Sequence, residues 1–242
     1  MQILLTRALS QSGPLQILLS KNGYLPVLFP SLTIKALNNF PRKNHYDALI
    51  FISANAVEYG LEVLKTLDYK PSKIFAVGAI TAKKLEQQGI KVDAFPAQNP
   101  SSEALLAMDE LQALNGKSVL IFRGEGGIET LKQGLEQNNS IEYIAVYRRE
   151  ISPISPLHQQ SLQQFLQNDA GIITATSVEN LTALIALVEK IDAQSLSKIK
   201  DYRLVVLSQR IKNFANSIGF NRLFVASKTS DDGLLEAIQS IS

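Results

Sequence analysis

Short apolar runs alternate with amphipathic stretches along the whole chain. The runs predict strands at Gln2–Leu5, Leu25–Phe29, Ala48–Ile52, Lys73–Val77, Val92–Phe95, Val119–Phe122, Ile141–Val146, Gly171–Ile173, Leu204–Leu207 and Leu223–Ala226. They are nearly continuous in Val, Ile, Leu and Phe, the pattern of strands buried on both faces of a parallel sheet. Helices are predicted between them at Asn55–Leu67, Thr81–Gln88, Ser102–Leu111, Glu129–Gln137, Pro156–Gln167, Val178–Glu189, Arg210–Ile218 and Asp232–Ser240. Strand–helix alternation from end to end predicts a doubly wound α/β architecture.

The pattern also repeats. Asp47-Ala-Leu-Ile-Phe-Ile-Ser-Ala-Asn-Ala-Val57 resembles Asp169-Ala-Gly-Ile-Ile-Thr-Ala-Thr-Ser-Val178. The stretch Lys73–Ile90 resembles Arg203–Phe220, and Ile3-Leu-Leu-Thr-Arg7 resembles Val119-Leu-Ile-Phe-Arg123. Gly89 and Gly219 close matching helices, as expected of C-caps in the left-handed region. The chain therefore reads as two related α/β units, and periodicity alone places the cut near Gly116.

Composition narrows the chemistry. The 242 residues are 45% hydrophobic and 19% charged, enough for two modest cores. Basic and acidic side chains number 24 and 22, a net charge of +2 that drives no global attraction to nucleic acid. Any anionic ligand has to be held by local geometry. With no cysteine, disulfides, thiolate metal sites and cysteine nucleophiles are excluded. Met1–Ala8 enters an apolar run without a basic leader, and no apolar stretch is long enough to span a bilayer. The expectation is a cytoplasmic, metal-free protein with no cofactor, no nucleic-acid partner and no membrane partner.

In open parallel sheets, ligands bind beyond the carboxyl ends of the strands, where helix N-termini gather. Four turns there carry small polar residues: Ser53-Ala-Asn55, Gly78-Ala-Ile-Thr81, Thr176-Ser177 and Ser208-Gln-Arg210. Each offers unpaired N–H groups at the positive end of a helix dipole, a cradle for carboxylates or phosphates. Taken singly, each reads first as a simple helix N-cap. Four on matching strand ends add weight to a site for several anions.

Arg123-Gly-Glu-Gly-Gly-Ile-Glu129 follows a strand and opens a helix, and the next strand ends Val146-Tyr147-Arg148-Arg149. This invites a dinucleotide reading, with Gly124 and Gly126 at the pyrophosphate, but the third glycine position falls on Glu129. A carboxylate there opposes a bound pyrophosphate. His45 and His158 lie in polar segments without a second ligand at metal spacing and read as surface histidines. No carboxylate pair stands out and the nucleophile elbow is absent.

Thr6-Arg7, Ile52-Ser53-Ala-Asn-Ala-Val57, Val77-Gly-Ala-Ile-Thr81, Arg123-Gly124, Val146-Tyr147-Arg148-Arg149, Thr176-Ser177-Val-Glu-Asn-Leu181 and Val206-Leu-Ser208-Gln-Arg210-Ile211 resemble the uroporphyrinogen-III synthase family, in order and over essentially the whole chain. One position departs: relatives often carry arginine where this chain has Ile128. The resemblance implies two flavodoxin-like domains joined by a two-stranded ladder, the chain crossing twice. One domain would be 1–32 with 150–242 and the other 36–146, so the repeat would be shared between them and the cut at Gly116 is superseded.

The implied activity is a cofactor-free lyase that closes linear hydroxymethylbilane into uroporphyrinogen III, losing water and inverting the last pyrrole ring. The resemblance implies Tyr147 as the group that protonates or orients the leaving hydroxyl; a phenol carries a proton to donate at neutral pH. Packing against the ladder is the alternative role for that ring. Substrate acetates and propionates would sit at Ser53, Ala54, Asn55 and Ala56, at Gly78, Ile80 and Thr81, at Ser177 and Val178, and at Ser208, Arg210 and Ile211. Arg7, Arg123 and Gly124 would add further contacts. Closure of the domains on substrate and a transient contact with the preceding pathway enzyme are also implied. Two rivals stand beside this: a non-catalytic module that binds an anionic tetrapyrrole, and an NADP-dependent reductase using Gly124–Arg149.

Overall fold

A computed structural model describes residues 1–127 and 129–242; Ile128 lies outside the described residues. In chain order the strands are β1 (Gln2–Leu5), β2 (Leu25–Leu28), β3 (Leu32–Ala36), β4 (Ala48–Phe51), β5 (Lys73–Ala76), β6 (Ser118–Gly124), β7 (Ser140–Ile151), β8 (Ile172–Ala175), β9 (Arg203–Val206) and β10 (Leu223–Val225). The helices are α1 (Leu9–Lys21), α2 (Ala54–Lys65), α3 (Ala79–Glu86), α4 (Ser102–Leu106), α5 (Asp109–Gln112), α6 (Thr130–Leu135), α7 (Pro156–Leu166), α8 (Val178–Asp192), α9 (Ser195–Asp201), α10 (Gln209–Ser217) and α11 (Asp231–Ile241). Met1–Thr33 with Glu150–Ser242 forms one compact unit and Ile34–Arg149 the other, the chain crossing twice.

The first unit is a parallel sheet in the order β10-β9-β8-β1-β2. Counted along the unit this is the flavodoxin-like order 2-1-3-4-5, with its topological switch point between β1 and β8. Alternation along the buried strands fills both faces. Ile3, Leu5, Ile172 and Val205 pack on Leu15, Leu19, Leu234 and Ile238 of α1 and α11. Leu4, Ile173, Leu204 and Val206 pack on Leu162, Phe165, Leu181, Leu184 and Phe220.

The second sheet runs β3-β7-β6-β4-β5, with a parallel bridge from Phe75 to Ala94 beyond β5. Strands β4 to β7 pair in parallel, with the switch point between β4 and β6. Leu49, Phe51, Leu120 and Phe122 face Val57, Leu64 and Leu85; Ile50, Phe75, Val119 and Ile121 face Leu105, Leu111 and Leu131. At the chain crossings, Ser152 N–H donates to the Ser31 carbonyl (3.0 Å) and Leu37 N–H to that of Val146 (2.9 Å). Partners rise on one strand as they fall on the other, so this ladder is antiparallel.

The order Ala94-β5-β4-β6-β7 matches β10-β9-β8-β1-β2 place for place, so the units are permuted copies. The sequence repeat is shared: β1 corresponds to β6, and β8 to β4. Ile3 opposite Ile172 and Val119 opposite Ala48 keep the equivalence read from sequence. The other slides by two residues: Ala48 corresponds to Ile172, not Ala170, which aligns the helix caps Ser53 and Ser177.

Several elements differ from the sequence reading. Val92–Phe95 makes only the one bridge, because Ile74 N–H bonds the Asp93 carboxylate (2.7 Å) instead of continuing a backbone ladder. Ser102–Leu111 is two short helices, α4 and α5, broken at Ala107-Met108. Helix α1 was hidden by Gly13-Pro14, since Pro14 lacks an N–H yet lies inside it. Strand β3 was hidden because Thr33 and Lys35 interrupt its apolar run.

Candidate functional site

Both switch points place the predicted motifs at the carboxyl ends of adjacent strands. In the second unit, β4 ends at Phe51 and leads to the cap Ser53, β6 ends at Gly124, and β7 carries Tyr147. The pairing of β6 with β7 shifts register here: Arg123 faces Ala145, but Gly124 faces Tyr147. A bulge of this kind lets consecutive residues point the same way. Val146 and Tyr147 accordingly enter the same core cluster. Tyr147 is 3% exposed, its ring 5.8 Å from that of Tyr59 and 5.7 Å from the Arg149 guanidinium.

The Tyr147 hydroxyl lies 3.3 Å from Ser53 Oγ, which accepts from Ala56 N–H at 3.0 Å. Ala56 N–H can only donate, so the Ser53 proton is free to point at the Tyr147 oxygen. With Ser53 as the donor, the phenol keeps its own proton for another acceptor. The chain Ala56 N–H, Ser53, Tyr147 starts at the positive end of α2, which favours negative charge developing on the phenol oxygen. A group that hands a proton to a departing hydroxide needs this polarity.

The cradles are partly spent on capping. Ser53, Ser177 and Ser208 accept from Ala56, Asn180 and Ile211 N–H groups at 3.0, 3.0 and 3.4 Å, so all three are N-caps. The N–H groups of Ala56 and Ile211 are thus engaged by the caps, and both residues are buried. Nearer the caps, the first-turn residues Ala54 and Val178 are half-buried and Arg210 is exposed. Helix α3 differs, for Gly78 is its N-cap and provides no side-chain bond. A Cβ on Gly78 would stand 2.4 Å from Pro100 Cβ, so only glycine fits there. Ile80 is 79% exposed in the first turn of α3, while Thr81 is buried.

Both expected arginines are internally paired. Arg7 lies just beyond β1 and bonds Asp231 of α11 at 2.8 Å, with its side chain 15% exposed. Arg123, the equivalent residue on β6, is 6% exposed. Its guanidinium bonds Glu129 (2.9 Å) and the Gly126 carbonyl and stacks 4.4 Å from the Tyr143 ring. The Arg123 side chain folds under its own loop. The dinucleotide reading fails at Gly124, where the Tyr147 ring fills the space that a pyrophosphate would need.

His158 is also corrected. It is 3% exposed, takes the Ser155 N–H on Nδ1 (3.2 Å) and donates from Nε2 to the Pro30 carbonyl (3.1 Å). Sequence reasoning missed the buried Thr6, Ser31 and Asn180 at the first unit's switch point; Asn180 three residues after Ser177 was the available signal, an N3 side chain turned inward. Among the described residues no cluster of three or more His, Asp or Glu side chains is placed to hold a metal ion, and no helix is long and apolar enough to cross a membrane.

A family model described as uroporphyrinogen-III synthase HemD matches residues 14–236. The uroporphyrinogen-III synthase of Escherichia coli K12 is 28% identical over 200 residues, covering 80% of this chain and 78% of its own. That of Salmonella typhimurium LT2 is 30% identical over 171 residues, 69% of this chain and 67% of its own. The fold is shared with the crystal structure of uroporphyrinogen-III synthetase from Helicobacter pylori 26695: TM-score 0.70 at 18% identity, over 100% of this chain and 99% of that one. A mutant uroporphyrinogen III synthase from the extremely thermophilic bacterium Thermus thermophilus gives 0.57 at 15% identity, over 100% and 98%. The chain belongs to the uroporphyrinogen-III synthase family, enzymes of tetrapyrrole biosynthesis.

Proposed function

We propose that this protein is a lyase acting in the cytoplasm, where its polycarboxylate substrate is made. It closes hydroxymethylbilane into uroporphyrinogen III with loss of water and inversion of the last pyrrole ring. The observation that carries the reading is the Ser53–Tyr147 pair at the end of α2. The substrate ionises its own hydroxymethyl group, pushed by pyrrole nitrogen electrons, so the protein has to protonate the departing hydroxide and impose the less direct ring closure. Tyr147 gives its proton to that hydroxide, and Ser53 and the α2 N-terminus hold the resulting negative charge.

The acetates and propionates are taken by first-turn N–H groups and nearby side chains at Ser53, Ala54 and Asn55, at Gly78, Ile80 and Thr81, at Ser177 and Val178, and at Ser208 and Arg210. Arg7 joins them by exchanging Asp231 for a substrate carboxylate. Gly124 admits the Tyr147 ring, and Arg123 holds the Gly124 loop. Because the bilane also closes unaided, transient contact with the enzyme that makes it is part of the proposal. Freshly made hydroxymethylbilane, with the ring isomers resolved chromatographically, tests the activity. The type III isomer is expected, whereas a mixture identical to the protein-free control sinks the enzyme reading and leaves a binding module.

A further inference from the structure

Asn180 is 1% exposed and its side chain enters the crevice between β1 and β8, where ligands of such sheets commonly bind. Its Oδ1 accepts from Thr176 N–H (3.3 Å), and Thr6 Oγ1 lies 2.6 Å away. Its Nδ2 donates to the Thr6 carbonyl (2.6 Å) and to Ser31 Oγ (2.6 Å). Backbone groups fix this orientation, because Thr176 N–H can only donate and the Thr6 carbonyl can only accept. The amide's bonding capacity is filled.

Its partners belong to different parts of the first unit. Thr6 follows β1 and precedes Arg7; Thr176 follows β8 and precedes the Ser177 cap. Ser31 lies on the first chain crossing, and its carbonyl receives Ser152 N–H from the second. Ser31 N–H and Oγ both reach the Thr6 carbonyl, at 2.9 and 2.8 Å. One buried amide thus joins the Arg7 turn, the Ser177 cradle and the roots of both crossings. At the equivalent place in the second unit stands Ala56, a methyl group beside Phe122 and Val146 that can form no such network.

We infer that Asn180 is a positioning residue for catalysis: it fixes the Arg7 turn and the Ser177 cradle to the chain crossings, so that the first unit presents its carboxylate contacts in one geometry. The permuted copies are then specialised: one crevice is closed by Asn180 to hold contacts in place, and the other admits the Tyr147 hydroxyl. The amide is enclosed on every side and contacts no substrate itself. Its effect passes through Arg7 and Ser177.

The inference rests on the proposed cyclase activity, and the test separates the two. Asn180→Ala, Thr6→Val and Ser31→Ala are compared with the parent protein by type III formation and by quenching of uroporphyrin III fluorescence, with circular dichroism giving the folded fraction. If the parent forms no type III isomer, the activity reading fails on its own. A displaced anion turn is expected to lower kcat/KM by about 10- to 100-fold, the scale of an ångström-sized misplacement. Much of this should appear as raised KM and weakened uroporphyrin binding. A purely structural role would lower the active fraction while leaving KM and affinity unchanged. That result across the variants that fold overturns the inference, and Ser31→Ala, the smallest change, keeps it testable if Asn180→Ala does not fold.

Discussion

A Cβ on Gly124 would stand 2.7 Å from two ring atoms of Tyr147 and 3.0 Å from its hydroxyl oxygen. The missing side chain at the end of β6 is the space into which the bulged Tyr147 fits. Gly124→Ala should therefore push the ring away from Ser53 and lower kcat by about 10- to 100-fold without altering far-ultraviolet circular dichroism. Tyr147→Phe keeps the ring and removes the proton, with an expected loss of about 10²–10⁴. The double variant should be little worse than Tyr147→Phe alone, since both act through one group. Unchanged turnover in folded Tyr147→Phe removes the phenol from the mechanism.

The cradle at α3 makes a second prediction. Ala79 is the first helical residue and is exposed, where proline is well tolerated, and Gly78 before it is extended (φ −174°, ψ 172°), as a residue preceding proline should be. Ala79→Pro should leave stability nearly unchanged while deleting one N–H at the positive helix end. Ser53→Ala removes the cap of α2 and should cost about 1 kcal/mol of stability. Titration with uroporphyrin III separates the two. Weaker binding is expected for Ala79→Pro, and affinity equal to the parent argues against backbone recognition at α3.

The sheets were legible because strands such as Ala48–Phe51 and Ile172–Ala175 are buried on both faces and so nearly uniform in apolar residues. Which strands share a sheet was not legible in the apolar pattern itself. The repeat near-matches β1 with β6 and β8 with β4, yet β1 pairs with β8, because the copies are permuted and the chain crosses between them. Apolar periodicity reports burial, not partnership. Strand β3 escaped because Thr33 and Lys35 interrupt its apolar run.

The site was legible where a backbone position demanded it. Ser53, Gly78 and Ser177 could be named as helix starts from residue type alone. The bulge that aims Tyr147 could not, since it exists only in the register between β6 and β7. Nor could the internal partners of Arg7 and Arg123: Asp231 is distant in sequence, and Glu129 lies across a turn whose path depends on Gly126 and Gly127 at positive φ.

His158 provides a prediction for stability alone. Its imidazole completes the cap of α7 with Ser155, satisfies the Pro30 carbonyl and meets the Phe29 ring edge-on at 5.1 Å. His158→Phe retains an aromatic ring but strands the Ser155 and Pro30 groups. Leaving a buried polar group unpaired costs about 1–3 kcal/mol, and urea unfolding should show a lower midpoint with the slope preserved. A surface histidine would leave the midpoint where it was.

At the opposite end of the second sheet, Asp47 predicts a pH dependence. Its carboxylate accepts from Ser118 N–H (2.8 Å) and Ser118 Oγ (2.7 Å), with Lys117 Nζ 3.4 Å away, tying the start of β4 to the start of β6. The backbone N–H of Ser118 contributes most and its hydroxyl next, lowering the acid from its ordinary 3.8 to about 2. A carboxyl depressed on folding stabilises the native state above its unfolded value, and that contribution disappears as pH falls through the folded one. The contribution should be complete near neutrality and fade between 3.8 and about 2. Asp47→Asn removes the charge at every pH, so the parent's advantage over it should be constant near neutrality and shrink across that window. Urea midpoints of both proteins over a pH series measure the difference directly, which cancels the protonation of other carboxylates. A gap that stays constant down to the lowest pH at which both remain folded would show that the Ser118 bonds do not favour the ionised form.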